Sequence, residues 1–322
     1  MKNIRIIGVG HKPAETCVTN DMLSEIVDTN DEWITTRTGI KTRYFSENKN
    51  TSELGYEAAL NAIKDAAIDK TEIEAIIVAT MTPDNAMPST ACLIQEMLGL
   101  NDQKIMAFDM NAACNGFISA LQVGSSLLGR FKTVLVVGAE TNSKILDFAD
   151  RSTCILFGDG AGAAVLRYEE CEKETFMYSN SMGDNKNVLT CKNNGLTPLM
   201  TSNRAVNNYM TMQGNDVFRF AIRVMEEAIV EVLKESNLTI DDIDCIIPHQ
   251  ANIRIIKHVA KSMNLPMEKV FVNLDKYGNT SSASIGIALS EAKAQGVIKE
   301  NDKVILVGFG GGFTYSSYLY QF

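Results

Sequence analysis

No apolar run in this 322-residue chain approaches the ~20 residues needed to cross a bilayer. The opening segment, Met1-Lys2-Asn3-Ile4-Arg5-Ile6-Ile7-Gly8, reads as a strand, too short and too charged for a signal peptide. Cytoplasmic residence and no membrane partner are therefore expected. Basic residues are outnumbered, 30 Lys and Arg against 39 Asp and Glu, and the resulting charge of −9 argues against general nucleic-acid binding. A local basic patch is still compatible with it. The seven cysteines, at 17, 92, 114, 154, 171, 191 and 245, are scattered and odd in number. No pair has metal-ligand spacing, so no metal is expected, and most should be reduced and buried. Nucleotide-loop signals are missing as well. Gly8-Val9-Gly10 runs into Pro13 without a third glycine, and Gly308-Phe309-Gly310-Gly311-Gly312 lacks a P-loop lysine and a following helix pattern. Histidine is scarce, with only His11, His249 and His258.

What is present is an ordinary globular composition, 45% hydrophobic and 21% charged, in a chain long enough to bury a large core. The chain also repeats itself. A helical pattern from Glu53 leads to the apolar run Ala75-Ile76-Ile77-Val78, and another from Val217 leads to Cys245-Ile246-Ile247. Ile73 and Ile243 lie 170 positions apart, as do Val134 and Val304 in the later runs Thr133–Gly138 and Lys303–Gly308. Short, nearly continuous apolar runs alternating with amphipathic helices describe strands buried on both faces. Two such α/β halves predict a duplicated, five-layered α/β/α/β/α fold. The expected divisions are a first half over 1–168, an irregular cavity-building segment over 169–215, and a second half over 216–322.

Three segments carry chemistry. Cys114 lies in Asn111-Ala112-Ala113-Cys114-Asn115-Gly116-Phe117, where small residues precede a helical pattern. A helix start offers free N–H groups and a positive dipole end, which favour thiolate over thiol. His249 follows the strand ending at Pro248, at a strand's C-terminal end, where α/β sheets carry functional side chains. Asn279 follows Gly278, which lets backbone approach closely, and Thr280-Ser281-Ser282-Ala283-Ser284 then opens a helix. Counted by 170, Cys114 corresponds to Ser284. The Gly310–Gly312 turn reads as a backbone N–H donor aimed at a thioester oxygen. A thiol can hold an acyl group, and two neutral polar side chains can stabilise charge developing on a second substrate. The bland alternatives are a buried structural cysteine, a satisfied core histidine and a turn asparagine.

Together these segments closely resemble β-ketoacyl-[acyl carrier protein] synthase III, of the thiolase-like superfamily. The resemblance runs from Asp31-Glu32-Trp33-Ile34-Thr35-Thr36-Arg37-Thr38-Gly39-Ile40 to Gly310-Gly311-Gly312-Phe313-Thr314. It implies condensation of an acyl-CoA primer with malonyl-[acyl carrier protein], with no resident cofactor, in a homodimer. It also implies roles: Cys114 as acyl acceptor, His249 and Asn279 as the pair serving decarboxylation, and the Cys114 and Gly311 N–H groups as oxyanion hole. Trp33 and Arg151 would sandwich the CoA adenine and Arg37 would meet its phosphates. Met87, Phe157 and Phe309 would line the acyl pocket, Met87 from the dimer partner. Gln250, Ala251, Asn252, Ile253 and Arg254, with Lys257 and Lys261, would receive the carrier protein. Two departures stand out. Tyr315-Ser316-Ser317 replaces the family's usual Trp-Gly-Ser, and Met87 stands where straight-chain-specific relatives often carry an aromatic residue. A starter synthase of secondary metabolism and a noncatalytic acyl-thioester binding subunit are the alternatives. A hydroxymethylglutaryl-CoA synthase would need a catalytic glutamate, for which Asp84-Asn85-Ala86-Met87 offers no match.

Overall fold

The computed structural model of the protein describes residues 1–184, 186–192 and 208–322. A five-stranded sheet is built from β1 (Ile4–Pro13), β2 (Ala75–Ala79), β3 (Met106–Met110), β4 (Thr133–Glu140) and β5 (Gly160–Tyr168), in the order β1-β5-β4-β2-β3. A four-stranded sheet is built from β6 (Phe176–Ser181), β7 (Cys245–Pro248), β8 (Lys303–Gly310) and β9 (Thr314–Gln321), in the order β7-β8-β9-β6. In the first sheet β2, β3 and β4 run parallel and the other pairings are antiparallel. The second repeats the pattern, with β7 parallel to β8 and β9 antiparallel to β8 and β6. A parallel bridge from Ile246 to Val270 stands where β3's counterpart would lie. The register repeats too: Ile76 faces Leu135, and Ile246 faces Ile305, each partner 170 residues on.

The main helices are α1 (Asp31–Thr38), α2 (Thr51–Asp65), α3 (Thr90–Met97), α4 (Gly116–Leu127), α5 (Gly214–Ser236), α6 (Ile253–Ser262) and α7 (Ser284–Ala294). Three large apolar clusters explain the layering. Leu54, Ala58 and Ile94 of α2 and α3 pack on Ile76, Val78 and Val137, the outer face of the first sheet. Phe220, Val224 and Ile256 of α5 and α6 pack on Ile305 and Val307, the outer face of the second. Phe117 and Leu121 of α4 and Ile285 and Leu289 of α7 fill the space between the sheets, against Ile77, Val136, Val304 and Leu306. Successive residues of β2 and β8 thus feed opposite layers, as the two-residue period of a strand requires. Every residue of β2 and β4 is buried, which accounts for their nearly continuous apolar sequences.

Sheet topology moves one expected boundary. β6 falls inside the supposed connecting segment, yet it pairs with β9 as β1 pairs with β5. The second half therefore starts near Phe176 rather than 216. Its β6 has three half-buried hydrophobic residues followed by three exposed polar ones, too short an apolar run to mark it as a strand of that sheet. Residues 185 and 193–207 of that segment lie outside the described ones. Among the described residues, no helix is long and apolar enough to cross a membrane.

Candidate active site

From the end of β3 the chain turns through a short 3-10 turn, Ala113–Asn115, directly into α4. Ala113 has φ +47°, a left-handed conformation that costs a non-glycine residue about 1 kcal/mol. The second half has the same device: Ser281, φ +51°, opens a 3-10 turn, Ser281–Ala283, that runs into α7. The two turns superpose Ala113 on Ser281 and Gly116 on Ser284. Cys114 is therefore equivalent to Ser282, not to Ser284 as a uniform shift of 170 had it, because the second half reaches its helix two residues sooner.

Cys114 is buried, and burial pushes its thiol up to about 12; Ser281 and Asn279 beside it offset part of the rise, and Glu140 adds to it. The expected helix-start activation is overturned for the free protein. Desolvation without a neighbouring cation among the described residues raises the thiol, against the direction expected of a helix start.

Asn279 is held by backbone. Its N–H donates to Leu156 O at 2.8 Å, and its carbonyl accepts from Gly158 N–H at 3.0 Å. Gly278 makes the approach feasible: its φ is +64°, and a Cβ there would come within 2.9 Å of Leu156 O. The Asn279 Oδ1 accepts from Ser281 N–H at 2.8 Å, which steers the amide nitrogen toward the thiol. His249 continues the chain from β7, its N–H donating to Val307 O at 2.8 Å. The ring meets Phe309 edge-on, with centroids 5.4 Å apart. It is 1% exposed, and neither ring nitrogen has a hydrogen-bond partner among the described residues. Burial lowers its pKa to about 3, so the imidazole is neutral.

Phe309 leads into Gly310, where a Cβ would lie 2.9 Å from Cys114 N and 2.6 Å from Ala112 O. The glycine run thus seats the end of β8 on the cysteine turn, bringing His249, Phe309 and Cys114 into one neighbourhood. The Cys114 and Gly311 N–H groups donate no hydrogen bond outside their own short turns among the described residues. A cavity of about 910 Å³ is lined by Cys114, Phe157, Gly311, Met81, Thr82 and Leu189, among others. His249 and Asn279 are buried beneath it rather than on its wall. Phe157 lines it as expected, whereas Phe309 lies behind it. Met87 is outside it and 83% exposed, since its side chain leaves the Asp84–Ala86 wall and points away from its own cavity.

Trp33, Arg37 and Arg151 do assemble. The Arg37 and Arg151 guanidinium carbons lie 4.7 and 5.1 Å from the Trp33 ring centroid. Arg151 also donates to Asp28 O at 2.9 Å. The indole and Arg151 touch each other, so a base fits between them only if this half-exposed arginine swings aside; the expected slot is closed. On α6, Arg254, Lys257, His258 and Lys261 are exposed, and Ile255, Ile256, Val259 and Ala260 are buried, so a basic face exists. Arg219 and Arg223 of α5 are exposed as well. Ala251, Asn252 and Ile253 are half-buried; Asn252 caps α6, its side chain accepting from Arg254 N–H at 2.8 Å. Gln250 is corrected. It is 1% exposed, donating to Pro248 O at 2.7 Å and accepting from Asn273 N–H at 3.0 Å, and it cannot meet a partner protein.

Sequence reasoning missed Glu140, Ser281 and Ser282. The signal for Glu140 was a carboxylate closing the otherwise apolar run Thr133–Glu140. The departures at 315 and 316 are absorbed by new bonds: Tyr315 OH donates to Glu227 at 2.8 Å, and Ser316 OH donates to Asn115 Oδ1 at 2.7 Å.

Comparison with known proteins gives a consistent picture. The family model described as 3-oxoacyl-[acyl-carrier-protein (ACP)] synthase III matches residues 108–185, and the model of its C-terminal part matches 233–322. The chain is 48% identical over 320 residues to the β-ketoacyl-[acyl-carrier-protein] synthase III of Clostridium acetobutylicum, covering 98% of each chain. It is 47% identical over 325 residues to that of Clostridium perfringens, covering 99% of each. The crystal structure of 3-oxoacyl-[acyl-carrier-protein] synthase III from Aquifex aeolicus superposes with a TM-score of 0.92 at 42% identity, over 99% of this chain and 100% of that one. The priming β-ketosynthase of the R1128 polyketide pathway superposes with a TM-score of 0.92 at 32% identity, over 99% and 96%.

Proposed function

The chain belongs to the β-ketoacyl-[acyl carrier protein] synthase III family, and from that premise we propose the reaction and the residues that perform it. An acyl-CoA primer and malonyl-[acyl carrier protein] give a 3-oxoacyl-[acyl carrier protein], CoA and CO₂, the first elongation of type II fatty acid synthesis. The thiol of Cys114 attacks the primer's carbonyl carbon; the C–S bond to CoA breaks, and the thiol proton leaves with the CoA sulfur. Because the free side chain is a buried thiol, its proton departs during the attack rather than before it. The N–H groups of Cys114 and Gly311 receive the carbonyl oxygen as it gains charge.

Malonyl-[acyl carrier protein] then loses CO₂, and the electron pair left on carbon delocalises onto the thioester oxygen. Neutral His249 and the Asn279 amide donate hydrogen bonds to that oxygen. The carbon attacks the acyl–Cys114 carbonyl, the C–S bond breaks, and the cysteine sulfur leaves as a thiolate that takes up one proton from solvent. No strong base is needed, since loss of CO₂ supplies the electron pair. No resident cofactor or metal enters any of these reactions.

The observation that carries the reading is His249. A fully buried imidazole with both nitrogens unpartnered among the described residues is costly, and such a group persists where an arriving ligand completes its bonds. The protein is read as cytoplasmic and as a homodimer. The exposed edge strand β3, with Met106 at its start, and the outward Met87 support the second copy, into whose cavity Met87 would reach.

Mass spectrometry after mixing with acyl-CoA tests the first half-reaction, and addition of malonyl-[acyl carrier protein] tests the second. Wild type should gain one acyl mass on Cys114 and release it as 3-oxoacyl product; Cys114→Ala should gain none. A protein that binds acyl-CoA without covalent uptake would be the noncatalytic subunit instead.

A further inference from the structure

Glu140 closes strand β4 and is fully buried, with no lysine, arginine or histidine among its hydrogen-bond partners in the described residues. It receives groups from each element packed against it. From the segment after β2 come the Thr80 hydroxyl at 3.3 Å, Met81 N–H at 3.2 Å, and the Thr82 N–H and hydroxyl at 3.1 and 2.5 Å. From the turn before α7 comes the Ser282 hydroxyl at 2.8 Å. Met81 and Thr82 line the cavity, and Ser282 is the second half's equivalent of Cys114. One carboxyl group thus joins the cavity wall to the turn that carries Ser281 past the thiol.

Counting protons decides the form of that group. The Ser282 oxygen lies 2.8 Å from Glu140 Oε1 and 2.9 Å from the carbonyl oxygen of Ala79. A hydroxyl has one proton. With Glu140 ionised, that proton serves one of the two oxygens, and the other faces a lone pair. With a proton on Oε1, Glu140 donates to Ser282, Ser282 donates to Ala79, and both contacts are hydrogen bonds. Oε2 takes the Thr80 and Thr82 groups, while Met81 N–H is shared, 3.2 Å from each oxygen, which a protonated Oε1 still accommodates through its remaining lone pair. The Thr82 hydroxyl oxygen already accepts from Thr141 N–H at 2.9 Å, so its own proton points at Oε2.

We propose that Glu140 works as a protonated carboxylic acid, a positioning residue that ties the Ser281–Ser282 turn to the cavity wall and keeps negative charge away from the Cys114 thiol. Burial without a cation acts in the same direction, pushing this carboxyl up to about 7. Cys114 is a titratable neighbour, on which an ionised Glu140 acts to hold the proton. Above neutrality the group ionises, disfavours the thiolate, and leaves Ser282 serving two acceptors with one proton. The inference rests on the reading of Cys114 as the acyl acceptor, but its tests do not require acyl transfer.

Two measurements on the full chain test it. The first is the infrared difference spectrum of wild type minus Glu140→Gln at pH 6. It should contain a protonated-carboxyl carbonyl band that shifts in D₂O; a carboxylate band in its place overturns the proposal. The second is the rate of Cys114 alkylation by iodoacetamide, followed by peptide mass, against pH. Wild type and Glu140→Gln should coincide below about pH 7. Above it, Glu140→Gln should become faster, because the negative charge opposing the thiolate is gone. An offset at every pH would mean that Glu140 is ionised throughout, and superposed curves would mean that its charge does not reach Cys114; either result overturns the proposal. For positioning, Glu140→Ala should lose roughly tenfold more condensation rate than Glu140→Gln, since only the latter keeps hydrogen bonds to Ser282 and Thr82. Equal losses would remove the positioning role. If Glu140→Ala does not fold, the first two measurements still decide.

Discussion

His249 and Glu140 should hide one another's pH dependence of stability. Burial lowers the His249 pKa from 6.5 to about 3. Its contribution is fully present above pH 6.5 and is lost as pH falls toward 3, because the unfolded chain takes up a proton that the folded one refuses. At about 1.4 kcal/mol per pH unit, acidification from pH 7 to 5 spans 1.5 units below 6.5 and costs about 2 kcal/mol. Glu140 runs the other way. Its carboxyl is raised from 4.5 to about 7, so the folded protein holds a proton that the unfolded chain releases until pH 4.5. Already half protonated at pH 7, it contributes about 2 kcal/mol of added stability over the same interval. In wild type the two nearly cancel. His249→Gln removes the first titration, and Glu140→Gln the second. Urea unfolding midpoints at pH 7 and pH 5, with m-values checked for constancy, should show His249→Gln gaining about 2 kcal/mol relative to wild type on acidification, and Glu140→Gln losing about 2. Surface carboxylates are common to all three proteins and drop out of the comparison. Parallel pH dependences in all three would refute the reasoning, because both burial-shifted groups would then titrate as they do in the unfolded chain.

Asn279→Ala should leave acylation of Cys114 largely intact in single turnover and lower condensation by about 10²–10³, the usual consequence of losing one donor to a developing oxyanion. Arg254→Glu should raise KM for malonyl-[acyl carrier protein] and flatten its salt dependence, with acylation by acyl-CoA unchanged. Gln250→Ala should instead lower stability by about 1–3 kcal/mol in urea melts, because it leaves Asn273 N–H and Pro248 O unpaired, and the salt dependence of KM should stay as it was. Met87→Phe should narrow a primer panel toward the smallest acyl groups; a strict acetyl-CoA preference unchanged by the substitution would reject a pocket role for this position.

The repeat itself was readable along the chain. Apolar runs spaced by 170 residues became strands paired in the same register, since a strand buried on both faces has no sequence freedom to disguise itself. Cys114, His249 and Asn279 were readable for a related reason. Each sits where a strand ends or a helix starts, and small residues and glycines beside them mark backbone held in tight places, such as Gly278 against Leu156. Strand β6 was not readable, because three hydrophobic residues followed by three exposed polar ones carry no apolar period. Only the tertiary structure decided the chemistry of the side chains. Whether Cys114 rests as thiol or thiolate depends on the desolvation balance in its pocket, and neither the motif nor the helix start contains that balance. Gln250 and Arg254 lie four residues apart in one segment, yet one is spent on backbone groups and the other faces solvent. Glu140 and Ser282, 142 residues apart, meet only because the end of β4 is pressed against the turn that opens α7 in the middle layer. Such long-range meetings depend on how the layers stack, and stacking is a property of the whole chain rather than of any local run within it.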